Sequence, residues 1–294
     1  MKTLPIAYAE NELPPGQALI DTKNNRAFET FVTILTDEKS SPTIGCVTGI
    51  SGVGKTIAIE KYMQQYVKGF IVGLPSVIAL KIPTNATART VASELARSLG
   101  EKPPRSGNKH DIAEMVTRII ENNGVKLIFV DEADRLNRES FDIIRYVFDR
   151  TGCKFVIVGL PDVLNVIERH QQFSSRAGLR MKFERPDLDE VLSTILPNMV
   201  VPQWKYHPND DADRKMGILA WEMSGNFRRL RNLLERAGSL CRLLKSPYIT
   251  EEILRSIFQY TGNYHEQQFL SEPTYSDGLL ENRSEKRRDA KFPS

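Results

Sequence analysis

The chain has 294 residues, 40% of them hydrophobic and 26% charged, with a formal net charge of +3. These values are ordinary for a soluble globular protein of one or two domains. The absence of any run of about 18 apolar residues excludes a membrane-spanning helix, and so small a net charge neither requires nor forbids a nucleic-acid partner.

Taken in chain order, residues 1–24 carry Pro5, Pro14 and Pro15 and read as an extended lead-in, too short for a helix-turn-helix. Residues 24–37 have helical apolar spacing. A buried strand over 43–48 runs into "GISGVGKT", residues 49–56, and a helix follows to about 67. A further strand fits 77–82. The segment 87–100 puts Val91, Leu95 and Leu99 on one helical face and stops at Gly100. Pro103, Pro104 and Gly107 make 101–110 a loop. A helix over 111–123 leads to the strand of "LIFVDEADRL", residues 127–136. Another helix covers 138–150, a buried strand lies in "CKFVIVGLPD" (153–162), and 180–184 is a short fifth strand. This alternation predicts a parallel sheet covered by helices. Beyond Pro186 only helical patterns remain. The expected organisation is therefore a lead-in over 1–24, an α/β nucleotide-binding core over 25–186, a small all-helical lid over 187–262, and a flexible, charged tail over 263–294.

The cysteines, Cys46, Cys153 and Cys241, are far apart and sit in apolar or helical contexts. With no basic-then-apolar leader, they predict reduced, buried thiols in a cytoplasmic protein rather than a disulfide frame or a metal site.

Residues 49–56 satisfy the phosphate-loop pattern G-x-x-x-x-G-K-[ST]. Gly49, Gly52 and Gly54, with Ser51 and Val53 between them, let backbone N–H groups converge on phosphate oxygens. Lys55 supplies charge to the β- and γ-phosphates, and the Thr56 hydroxyl can ligate Mg²⁺. ATP with Mg²⁺ is the expected cofactor. The second motif delivers Asp131 to the carboxyl edge of the sheet as a partner of the Mg²⁺ shell. Glu132 beside it is the group to orient and deprotonate water; the plain alternative for this pair is a solvated helix cap. The pair favours hydrolysis over phosphoryl transfer to a bound hydroxyl. Asp134 and Arg135 read as capping or solvating the next helix.

With "FSSRAGLRMKF" (173–183) and "GNFRRLRNLLERA" (225–237) added in the same order, the chain over roughly 25–260 resembles the AAA+ ATPases, and among them the transposition regulators of the phage Mu B, TnsC and TniB type. The resemblance implies an ATPase that oligomerises as a ring or helical filament on double-stranded DNA, without reading sequence. It implies recruitment of a transposase, through the 263–294 tail, and work with a target-selection protein. It gives Arg176 the place of a finger that reaches a neighbour's γ-phosphate, with Arg180 as a second candidate; the alternative for Arg176 is a surface arginine, or one paired to Glu184 or Asp187. It gives Arg228 the place of a lid arginine that touches the nucleotide, with Arg229 and Arg231 solvated or facing DNA. Leu160 stands where the family has a polar first sensor, which implies slow hydrolysis suited to a switch. Lys102, Arg105 and Lys109 are the DNA candidates, against the reading of an ordinary solvated loop. The tail is either a hook for a partner or a basic arm. A replicative helicase loader is the competing function, and a ligand-gated signalling ATPase ranks below it.

Overall fold

The computed structural model describes residues 20–37, 39, 43–67, 76–199, 201 and 203–262. Most of the expected lead-in and all of the 263–294 tail lie outside the described residues. The core begins with α1 (Lys23–Thr36), β1 (Ile44–Thr48), α2 (Lys55–Val67), β2 (Val77–Lys81), α3 (Ala88–Ser98) and α4 (Lys109–Asn123). It continues through β3 (Leu127–Asp131), α5 (Arg138–Thr151), β4 (Lys154–Gly159), α6 (Asp162–Arg169), α7 (Gln171–Ser174) and β5 (Leu179–Lys182). The strands pair in the order β2-β3-β4-β1-β5, all parallel. Every β-to-α turn that carries chemistry therefore opens on one edge.

Strand alternation builds a three-layer core. Ile44, Ile78, Leu80, Ile128, Val130, Phe155 and Ile157 face α3, α4 and α5. Val47, Val77, Leu127, Phe129, Val156 and Val158 face α1 and α2. On that second face Phe28 packs its ring against Phe129, Phe183 and Tyr62, with centroids 5.7, 5.9 and 6.4 Å away. This aromatic cluster holds α1 and α2 to the sheet directly behind the loop over 49–54.

The fifth strand spans Leu179–Lys182 rather than 180–184, and the helices of the core differ from the sequence reading at two points. α4 starts at Lys109 rather than 111, because Asn108 forms a capping box: its side chain accepts from His110 N and Asp111 N, while Asp111 accepts from Asn108 N. The box adds a turn ahead of the first apolar residue. Two helices not expected, α6 and α7, occupy 162–174 and are anchored by buried Val163, Ile167 and Phe173.

After β5 the chain is helical. α8 (Leu188–Glu190) continues as a π-helical stretch, Val191–Ile195, and a 3-10 turn, Leu196–Asn198. Then come α9 (Asp211–Ser224), α10 (Phe227–Leu244) and α11 (Glu251–Gly262). These helices share their own core around Trp221, Leu230, Leu234 and Leu254. The junction with the sheet domain is tied at several points. Lys23 donates through its backbone N to Glu190 Oε1 (2.5 Å) and through Nζ to Asp187 Oδ2 (2.5 Å). Asn24 and Glu184 exchange two bonds, at 2.7 and 3.2 Å, and the Arg185 guanidinium stacks 4.9 Å over the Trp221 ring. Among the described residues no helix is long and apolar enough to cross a membrane, and all three cysteines are free and buried.

Truncating the centre of the aromatic cluster tests this packing. Phe28→Ala is expected to cost about 3–5 kcal/mol, read as a fall in the urea midpoint at unchanged slope. A loss below about 1 kcal/mol would mean that α1 is not anchored through this ring.

Candidate nucleotide site

The loop between β1 and α2 needs its glycines for different reasons. A Cβ on Gly49 would lie 2.8 Å from Phe183 Cβ and 2.9 Å from Phe183 O. Gly52 (φ +78) and Gly54 (φ +105) adopt left-handed backbone that L side chains rarely tolerate. A Cβ on Gly52 would also meet Asn226 Oδ1 at 2.9 Å and Arg228 Cβ at 3.0 Å. The lid thus comes down on the loop through a position where only hydrogen fits.

Lys55, the first residue of α2, donates from Nζ to Gly49 O (2.6 Å) and Ile50 O (2.9 Å). Burial lowers its pKa, while Asp131 and Asp134 act in the opposite sense. A cation desolvated in this way gains from a phosphate placed beside it. Next to it the Thr56 hydroxyl donates to Asp131 Oδ2 at 2.8 Å, and Glu132 N donates to Asp131 Oδ1 at 2.9 Å. Asp131 is 2% exposed, and burial pushes its carboxyl above the usual 3.8 in spite of the Thr56 hydroxyl. A hydroxyl and one carboxylate, both hard oxygen donors, suit Mg²⁺, which keeps waters and phosphate oxygens for its other positions. Among the described residues no cluster of three or more His, Cys, Asp or Glu could hold a metal without such a ligand. The donor set fits Mg²⁺ brought in by a triphosphate, and a cation here would offset the burial of Asp131.

Glu132 takes a left-handed conformation (φ 56, ψ 38), uncommon for a residue with a side chain and a mark of functional turns. Its carboxylate pairs with Lys81 Nζ at 2.8 Å and with Arg135. Arg135 also donates to Ile82 O at 2.9 Å, so it braces the acidic turn against β2 rather than merely solvating a helix. Asp134 differs from its sequence reading as well. The cap of α5 is Asn137, which accepts from Ser140 N, whereas Asp134 Oδ1 accepts from Leu160 N at 3.0 Å. Asp134 thereby joins the ends of β3 and β4 across the mouth of the site. Lys81 was not singled out in the sequence. Its place follows from its register opposite Asp131 in the β2–β3 pair, which the fold sets and no spacing along the chain reveals.

These groups line one cleft of about 390 Å³, which includes Lys55, Thr56, Asp131, Glu132, Leu160 and Arg228. Leu160 is 37% exposed and presents no hydrogen-bonding side chain to the cleft. Arg228 approaches the phosphate loop through its backbone N, 3.4 Å from Gly52 O, and through NH1, 3.4 Å from Ser51 Oγ. Asn226 starts its helix by accepting from Arg229 N. Arg231 also lines this cleft, and pairs with Glu235 at 2.8 Å.

Arg176 and Arg180 do not line the cleft. Arg176 pairs with Asp149, not with Glu184 or Asp187, and Arg180 pairs with Glu168 at 2.8 Å. In the 101–108 loop Lys102 and Arg105 are exposed; neither has an ion-pair partner among the described residues. Lys109 is bound to Glu139 at 2.7 Å. The loop is held against α3 by Arg89, which donates to Pro104 O (2.9 Å), Arg105 O (3.1 Å) and Gly107 O.

A family model described as "AAA domain" matches residues 37–167. Over 258 residues, 86% of this chain and 79% of the relative, the sequence is 28% identical to the Mu-like prophage FluMu DNA transposition protein B of Haemophilus influenzae. It is 23% identical over 269 residues, 86% of this chain and 76% of the relative, to the ATP-dependent target DNA activator B of Escherichia phage Mu. Among solved structures it is similar to the Aeropyrum pernix ORC2 protein (ADPNP-ADP complexes), with a TM-score of 0.66 and 17% identity over 90% of this chain and 74% of that one. The Aeropyrum pernix ORC1 protein in complex with DNA gives a TM-score of 0.64 and 17% identity over 85% and 68%. At that identity the two structures speak for the shared fold.

The raised pKa of Asp131 has a consequence for stability. Its folded-state carboxyl holds a proton more tightly than the unfolded chain does, so ionising it above its usual 3.8 destabilises the fold. Asparagine escapes that penalty. In Mg²⁺-free buffer, the stability of Asp131→Asn relative to the parent chain is expected to improve as pH rises from the carboxylate range to neutrality. Urea titrations of both proteins check it; a difference that is flat in pH, or shrinks, contradicts the burial account.

Proposed function

We propose that the chain is an AAA+ protein of the Mu B transposition-regulator type, an ATP-hydrolysing switch that assembles on double-stranded DNA and recruits a transposase. The observation that carries the proposal is the division of charged groups. Lys55, Thr56, Asp131, Glu132 and the lid's Arg228 converge on one cleft, while Arg176 and Arg180 lie outside it. A subunit so built holds a nucleotide and its Mg²⁺ by itself, and receives the finger arginine from a neighbour.

In this reading Lys55 neutralises phosphate charge, and Thr56 and Asp131 hold Mg²⁺, which supplies charge neutralisation across the phosphates when bound. Glu132 orients and deprotonates the attacking water through a carboxylate that Lys81 holds at Oε1 and Arg135 at Oε2. Arg228 makes lid position depend on the nucleotide, because helix α10 and the phosphate loop touch through Gly52 and Ser51. Arg176 of one subunit completes the site of the next and ties hydrolysis to assembly. Leucine at position 160 leaves the water without a polar side chain at the end of β4, which fits slow turnover and a long-lived assembled state.

For DNA, the braced loop presents Lys102 and Arg105, neither ion-paired among the described residues, as cations able to neutralise phosphates without reading bases; Lys109 contributes less because Glu139 already holds it. The transposase and the target-selection protein are partners by likeness to the named transposition proteins, with the 263–294 segment as the proposed transposase contact.

Fluorescence anisotropy with a labelled duplex tests this reading. The full chain should bind with ATP and release with ADP, and Lys55→Ala should bind with neither. Exchanging both Lys102 and Arg105 for Ala should flatten the salt dependence of log K by about two, with Lys109→Ala changing it less. Duplex binding that ignores the nucleotide contradicts the switch. An unchanged salt slope removes the loop from the DNA surface.

A further inference from the structure

Arg176 has every nitrogen of its guanidinium engaged inside its own subunit. Nε donates to Asp149 Oδ1 at 2.5 Å and NH2 to Asp149 Oδ2 at 2.8 Å, while NH1 donates to Gln172 O and lies 3.3 Å from Ser175 Oγ. A carboxylate gripped in this two-pronged way occupies the same face of the guanidinium that grips a phosphate. While Nε and NH2 grip Asp149, that edge of Arg176 is closed to a neighbour's γ-phosphate.

Three features distinguish this pair from an ordinary structural one. Asp149 sits in the last turn of α5 (Arg138–Thr151), where the helix dipole disfavours an acid, so its charge is not there for the helix. The backbone of Arg176 is anchored independently of its side chain: its carbonyl accepts from Ile44 N at 2.7 Å and from Thr43 Oγ1 at 2.9 Å. The guanidinium can leave while the turn stays. The two side chains are also 30% and 37% exposed, and a pair that wet holds by only a few-fold. Arg180 offers a contrast, with one nitrogen on Glu168.

We propose that Asp149 withholds the Arg176 finger within the isolated subunit, and that docking of a second copy of this chain exchanges the carboxylate for that copy's bound γ-phosphate. The inference rests on the reading of Arg176 as a finger acting in trans. It adds a regulatory role for Asp149: hydrolysis stays off until the interface competes successfully for the arginine. Because the lock is weak, it sets a concentration threshold for firing rather than blocking it.

The test measures ATP hydrolysis against protein concentration on double-stranded DNA, using the full chain, with thermal melts to confirm that each variant is folded. Asp149→Asn keeps the shape and removes the charge. It should lower the concentration for half-maximal hydrolysis by about two- to five-fold. The double variant Asp149→Asn/Arg176→Ala should show no gain over Arg176→Ala alone. An unchanged or raised threshold in Asp149→Asn, or a gain that survives loss of Arg176, overturns the lock. If Asp149→Asn melts early, Asp149→Ser replaces it in the same comparison. The finger reading is tested separately: Arg176→Ala and Glu132→Gln, each slow alone, should recover turnover on mixing. Arg176→Ala turning over like the parent chain would sink that reading, whatever Asp149 does.

Discussion

Everything at this site depends on the contact between Thr56 and Asp131, a hydroxyl at the start of α2 bonded to a carboxylate at the end of β3, 75 residues apart in sequence. The contact places a buried acid beside a half-buried lysine, at an edge reached only by parallel pairing of β1, β4 and β3. Neither charge is comfortable there: burial raises the pKa of Asp131 and lowers that of Lys55. A magnesium triphosphate suits both at once, bringing cation to the acid and anion to the lysine. The fold holds two mismatched groups at a distance that a ligand of complementary charge resolves.

The lid meets the phosphate loop through a very small surface. Gly52 lets Asn226 and Arg228 come against the phosphate loop, and α1 ties the other end of the lid junction through Lys23 and Asn24. The face bearing Arg176 and Arg180 belongs to the same rigid sheet, since β5 pairs with β1. Arg180 lies on β5 and Arg176 in the turn that leads into it, so both are carried on the sheet that carries the cleft.

Much of this was legible in the sequence where the chemistry is local. The phosphate loop, the strand ending in Asp131-Glu132 and the Asn226 start of α10 each announce themselves within about ten residues. What was not legible depends on conformation or register. The partners of Glu132 follow from its left-handed backbone and from the pairing that sets Lys81 opposite Asp131; no spacing rule anticipates either. Asp134 looked like a cap because it precedes a helix, yet Asn137 is closer to that helix and takes the role. The Arg176–Asp149 pair joins residues 27 apart on α5 and the turn after α7, and α7 itself is too short for a periodic signal. Sequence located most of the groups that line the cleft, and the structure supplied the groups that restrain them.

The central claim is that nucleotide state governs assembly on DNA, and electron microscopy of the full chain with double-stranded DNA, in ATP and in ADP, addresses it most directly. Rings or filaments on the duplex in ATP, with dispersed particles in ADP, are the predicted result. Particles that ignore DNA in both nucleotides, or equal assemblies in both, would contradict it.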